Sequence, residues 1–354
     1  SMIDAPLRGY APLLGVYGVT LAVALSAGAL LWQGQRRAWR LALPMLLLLW
    51  GGGALLDRIE WSRAVGEPLR VTLIQGNVPQ STKWDPAQIS HRLQTYADLT
   101  RQHLDSSDLI IWPENAITVF YHRLVESYFE PLAEEARASN TDIILGVPQQ
   151  DADGKRYYTT MMSLGGSHGF YRKRHLVPFG EFMPLEGLLR GLVAFFDLPM
   201  SGFSRGGDNQ SLLVAAGHKV AATVCYEDAF GEEMIDFLPE ATLLVNGSNN
   251  AWYGDSLAPH QHLQISRMRA LETGRPMLRA TTNGISALIN GKGKILVRSR
   301  QFEREVIRGE IQGRGGTSPY ITFGNWPVLA VLLMVFLLSG RAWAVTAKGK
   351  ASLR

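Results

Sequence analysis

The sequence predicts an α/β domain carried between membrane-spanning helices. Two observations predict it: uncharged apolar runs at the two ends of the chain, and a polar middle where short β-branched runs alternate with helical periods. The 354 residues are 46% hydrophobic and 19% charged, which excludes a disordered chain. Lys and Arg number 35 against 31 Asp and Glu, a net charge of +4. So mild an excess makes no case for nucleic acid as a partner. One cysteine excludes an intrachain disulfide framework, zinc ribbons and cysteine-ligated iron–sulfur clusters, and no metal or cofactor is expected.

Residues 1–56 are read as two transmembrane helices, at about 10–32 and 41–56. The first run lies in a stretch, 9–35, without one charged residue, and it is long enough to cross ~30 Å of hydrocarbon. The second is short for a span and would use Trp50 as an interfacial anchor. Residues 315–354 supply a C-terminal transmembrane helix, within 315–340, and a tail. The alternative is three buried core helices. Arg36, Arg37 and Arg40 lie between the first two runs, and Arg341, Lys348, Lys350 and Arg354 follow the third. The positive-inside rule makes both segments cytoplasmic and residues 57–314 an extracytoplasmic domain. That orientation starts the chain outside, so further spans are expected to precede it.

Within the middle, residues 71–78, 108–113, 142–148, 158–164, 218–226, 242–248 and two runs within 277–291 read as strands. Asp85-Pro86 is an N-cap followed by Pro, and Ile89, Leu93, Tyr96 and Leu104 then space as one apolar helical face. A second helix is expected over 259–271, stopped by Gly274 and Pro276. No internal repeat is visible.

Three segments place an ionisable residue at or just past a strand end, where α/β sites gather. In IIWPENAI, Glu114 follows an apolar strand and a proline. A poorly solvated carboxylate there suits a general base, and equally an acidic group answering a helix dipole. In GFYRKRHLVPFGEF, extended geometry turns Arg172 and Arg174 one way and Tyr171, Lys173 and His175 the other. Lys173 then points inward, or the whole run is a solvated basic patch; Glu181 follows closely. In VAATVCYED, the lone thiol Cys225 ends a β run. A buried structural cysteine is the ordinary reading, but an extracytoplasmic free thiol is exposed to stray oxidation, which favours a functional one.

Together the three segments resemble the nitrilase (carbon–nitrogen hydrolase) superfamily, whose Glu–Lys–Cys triad occurs in this order, over roughly residues 70–300. GNVPQSTKWD, WPENAI, YRKRHLVPFGEF, CYED and SNNAWYGDSLAPHQHLQISRMRALETGRP resemble the apolipoprotein N-acyltransferase family in particular. The resemblance implies a nitrilase-like α-β-β-α sandwich flanked by transmembrane helices, in the bacterial inner membrane with its catalytic domain periplasmic. It implies ping-pong acyl transfer from a phospholipid to a diacylated apolipoprotein, with Glu114 as base, Cys225 as nucleophile, and Lys173 as oxyanion partner. Glu181, Glu227 and Tyr226 would support them, and Trp84 and Trp252 would bind substrate, Tyr226 and Trp252 along the acyl path. A membrane-tethered amidase or nitrilase is the alternative. The family's Ser-Asn-Asp is here Ser248-Asn249-Asn250, so Asn250 is given no ionic role.

Two motifs are set aside. Gly202 to Gly206 fits G-x-S-x-G around Ser204, but the following GGDNQ cannot start the helix that a serine nucleophile needs. His260 and His262, two apart, do not share a helix face, so they are read as surface or packing side chains. Residues 182–203 are apolar enough to read as a lipid-docking lid, or as a core helix.

Overall fold

A computed structural model describes residues 3–32, 39–178, 180–182 and 202–337. The candidate lid is thus almost wholly outside the described residues, as are Arg36, Arg37 and the C-terminal basic tail. The chain divides into two compact units, residues 62–316 and the flanks 1–61 with 317–354.

Residues 62–316 form two six-stranded sheets. One runs in the order β13 (Glu305–Ile311), β2 (Leu69–Gln75), β3 (Leu109–Ile111), β4 (Asp142–Gln150), β5 (Tyr157–Leu164) and β6 (Gly169–Arg172). The other runs β12 (Ile295–Arg298), β11 (Ala287–Ile289), β10 (Met277–Thr281), β9 (Leu243–Ser248), β8 (His218–Val224) and β7 (Leu213–Ala215). Two-residue strands β1 (Arg63–Ala64) and β14 (Arg314–Gly315) pair beside them. Each sheet has a parallel centre, β2–β3–β4 and β8–β9–β10, flanked by antiparallel strands.

The period-two rule assigns the faces. Val71, Leu73, Leu109, Ile111, Ile144 and Met161 join the second sheet's Val220, Val224, Leu243 and Val245 in one core. Their alternates Ile74, Ile110, Ile143, Leu145, Val147 and Met162 pack under the helices Ile89–Arg101 and Glu130–Ala138 through Tyr96, Leu132 and Ala136. The helix Ala258–Thr273 packs against the second sheet through Leu263 and Ala270. Asp85 accepts from the Ala87 N–H, as its N-cap reading predicts, but first starts a 3-10 turn, Pro86–Gln88. Gly274, at φ 63°, closes the second helix in the left-handed conformation that glycine adopts freely.

The flanking unit contains Ala11–Trp32, interrupted at Gly15, and Trp39–Leu56. Gly9 meets Gly53 so closely that a Cβ on Gly9 would lie 2.0 Å from the Gly53 carbonyl oxygen. Trp50 donates to Ser26 Oγ at 3.2 Å, and Arg8 pairs with both oxygens of Asp57. The third apolar run is not one helix from 315. It holds Pro319–Phe323, then Gly324 at φ 55° breaks it before an apolar helix described over Trp326–Leu337. By length and composition, one described helix, Pro6–Leu31, suffices to cross a membrane.

Candidate active site

The first-predicted carboxylate follows β3, at the C-terminal end of the parallel core. Glu114 is 5% exposed, and its Oε2 accepts from the backbone N–H of Asn249, just past β9, at 2.8 Å. The turn that carries it is crowded. A Cβ on Gly146 would lie 2.4 Å from the Pro113 carbonyl oxygen and 2.5 Å from the Asn115 nitrogen. Asn115 takes φ 44°, a conformation Asn tolerates better than most side chains.

Lys173 follows β6 and is fully buried. Its ammonium donates to Glu181 Oε1 at 2.8 Å and lies 3.7 Å from Glu114 Oε1. Burial pulls its pKa down, but Glu114, Cys225, Glu181 and Glu227 more than offset this, and it is held above its ordinary value. Glu181 also accepts from the Val177 N–H. Burial pushes Glu181 up, against the pull of Lys173. The expected alternation ends at Lys173. Arg174 is buried, not solvated, and pairs with Asp236 at 2.9 Å and Glu233 at 3.5 Å. The cause is Glu227, whose Oε1 captures the N–H groups of both Arg174 and His175 and turns the chain after β6.

Cys225 begins a 3-10 turn after β8, with φ 55°. A non-glycine residue in that region is strained, and such strain gathers at functional positions. Its carbonyl accepts from Asn246 Nδ2 at 2.8 Å, with His262 Nε2 3.2 Å away. Burial, then Glu114, pushes the thiol up to about 12, while Lys173 and a backbone hydrogen bond from Tyr226 pull it down. The resting sulfur is a thiol, and it needs a base to become a nucleophile.

The remaining predicted residues divide into two groups. Glu227 bridges the two loops, since its Oε2 accepts from the Val224 N–H at 2.7 Å while Oε1 holds the Lys173 loop. Trp84 and Trp252 line a cavity of about 680 Å³ with Phe120, Tyr157 and Phe203. Gln80, on its wall, accepts from Asn249, the residue whose N–H reaches Glu114. Tyr226, expected along the same path, turns its hydroxyl to the Leu176 carbonyl and its ring toward His175 and Phe230.

Ser204 lies outside any strand or helix, and among the described residues no helix follows it directly. His260 is exposed, but His262 is more than a packing side chain. It meets Asp228 at 2.8 Å and Asn250 at 3.1 Å; Arg279 in turn donates to Asn246, Ser266 and Asn250. The backbone N–H of Asn249 and this buried network behind Cys225 escaped the sequence reading. The clue was an acidic pair after the thiol and a His and Ser four apart on one helix.

The family model described as carbon-nitrogen hydrolase matches residues 70–320. Among solved structures, the NitFhit protein of C. elegans superposes with a TM-score of 0.56 at 15% identity, over 71% of this chain and 62% of that one. A carbon-nitrogen hydrolase from Helicobacter pylori gives 0.53 at 16%, over 70% of this chain and 90% of that one. Among curated proteins, the apolipoprotein N-acyltransferase of Methylococcus capsulatus is 46% identical over 94% of this chain and 66% of its own length. That of Nitrosomonas europaea is 44% identical over 98% of this chain and 69% of its own. The chain spans about two thirds of these relatives. With a two-sheet fold, a buried carboxylate–ammonium pair beside a strained thiol, and such identity along nearly its whole length, the chain belongs to the carbon-nitrogen hydrolase family and, within it, to the apolipoprotein N-acyltransferases.

Proposed function

We propose that this chain moves an acyl group from a phospholipid to the α-amino group of a diacylglyceryl-modified N-terminal cysteine of a lipoprotein, through a thioester on Cys225. The observation that carries the reading is the sole thiol at φ 55°, beside a Lys173–Glu114 pair 3.7 Å apart. Glu114 takes the thiol proton. The sulfur attacks the ester carbonyl, and Lys173 with the backbone N–H after Cys225 stabilises the oxyanion. The ester C–O bond breaks, and the proton passes from Glu114 to the departing lysophospholipid oxygen. The acceptor amine then attacks the thioester, the C–S bond breaks, and the amine's proton returns to the sulfur through Glu114.

The same reading makes the flanking helices membrane spans and the catalytic unit periplasmic, at the face of the inner membrane where both lipid-anchored substrates lie. Large apolar side chains left exposed on the flanks, Leu31, Leu47, Leu48 and Phe336 among them, support it. The cavity under Trp84 and Trp252 is apolar enough to take an acyl chain.

The test is an intact-protein mass spectrum after mixing with phospholipid, with the released lipids analysed. An acyl-sized increment lost in Cys225→Ala, with lysophospholipid released, supports the transfer. Steady release of free fatty acid without amide product would make the chain a hydrolase.

A further inference from the structure

Lys83 is a buried charge beside the Glu114 turn that the mechanism above leaves unused. It is 2% exposed, and it donates one hydrogen bond, to the backbone carbonyl of Glu114 at 3.1 Å. Among the described residues it pairs with no carboxylate. A buried ammonium without a counter-ion is costly, and functional sites are where such cost is tolerated. Its surroundings supply a reason. Glu114, Glu181 and Glu227 set three carboxylates against the single ammonium of Lys173, and the substrate oxyanion adds further negative charge. The Pro113–Asn115 turn that Lys83 grips also carries Asn115 at positive φ and presses against Gly146.

Resting on the acyl-transfer reading, we propose that Lys83 is a positioning residue for acylation: it fixes the Glu114 turn through its carbonyl and supplies the second buried positive charge that the site requires. The charged or titratable groups facing it are Glu114, Cys225 and, from the helix Ile89–Arg101, Arg92. Burial lowers its pKa to about 8, with Glu114 and Cys225 pulling up and Arg92 down. The ammonium is therefore present below that pH and lost above it.

Two readouts test this on the full chain. The first is the pH profile of thioester formation from phospholipid. The wild type should lose rate as pH rises through about 8. A rate that holds to about pH 10, near the ordinary lysine value, overturns the proposal whether or not any variant folds. Lys83→Met should acylate at least ~10-fold more slowly and show no alkaline limb, whereas a merely structural role would lower the rate and keep the limb. The second is alkylation of Cys225 by iodoacetamide at pH 7, which needs no lipid. Lys83→Met should slow it, because the thiolate loses a neighbouring cation; equal rates overturn the proposal. Lys83-dependent alkylation in a wild type that never acylates would support the role of Lys83 and overturn the acyl-transfer reading instead.

Discussion

Four donors converge on the carboxylate of Glu227: the N–H groups of Val224, Arg174 and His175, and the Tyr171 hydroxyl. Burial pushes its pKa up to about 7, against Lys173 and those N–H donors. A proton gained below that pH would point at groups that are themselves donors, so the clamp between the Lys173 and Cys225 loops should loosen. Thioester formation is therefore expected to fall as pH drops through about 7, and Glu227→Gln should remove that limb and lower the plateau. A rate profile from pH 5 upward checks this. For the groups that the proposal makes reactive, Glu114→Gln and Lys173→Met should each slow acylation by ~100-fold or more. Glu114→Gln should leave the melting temperature near wild type, whereas Lys173→Met should lower it, because Glu114 and Glu181 lose their buried cation. Near-normal thioester formation in either would remove that residue from the mechanism. At this scale the sequence named Glu114, Lys173 and Cys225, because chemistry-bearing residues stand at strand ends. It passed over Lys83, the residue before Trp84, because nothing in a linear pattern tells a buried lysine from a solvated one.

Elements bring these side chains together by close approach of backbone. Gly146 on β4 and Gly247 on β9 both abut the Glu114 turn: a Cβ on Gly247 would come 3.2 Å from the Glu114 nitrogen and 2.6 Å from the Met161 sulfur. Gly146→Ala must push the turn away from backbone atoms that cannot rotate aside. It should destabilise by ~1–3 kcal/mol and also depress acylation, read by thermal melting and by thioester rate. A variant with wild-type melting and rate would show that the turn has slack. Among elements, the helix Ala258–Thr273 was legible from its Pro start and Gly stop, and the central strands from their β-branched runs. β13 was not. Glu305, Arg308 and Glu310 dilute its pattern, yet all seven of its residues pair with β2, as an edge strand with one wet face can.

For the molecule as a whole, the acyl-transfer reading requires a periplasmic catalytic unit. In a Cys225→Ala background, a lone cysteine introduced by Asp153→Cys, in an exposed turn, should react with a membrane-impermeant maleimide in intact spheroplasts. Labelling only after lysis would reverse the orientation and deny the site its lipoprotein acceptors. The two sheets share one pairing pattern, parallel centre and antiparallel edges, although no repeat is visible along the chain. Hydrogen-bond geometry constrains the backbone, and many side-chain sets satisfy the same alternation of faces.

What the sequence by itself determined was the α/β class, the apolar flanks, the places of Glu114, Lys173 and Cys225 at or past strand ends, the cap at Asp85 and the helix stop at Gly274. Each is written in local chemistry: a period, a cap, a run without charge, a residue at the end of a strand. Only the tertiary structure decided that Arg174 is buried, that the third apolar run breaks at Gly324, that Glu227 ties two loops together and that Lys83 lies beneath Glu114. Those depend on which surfaces meet across 31 residues between Lys83 and Glu114, or 53 between Arg174 and Glu227. Burial and partnership are properties of the packed pair, and neither residue carries them alone.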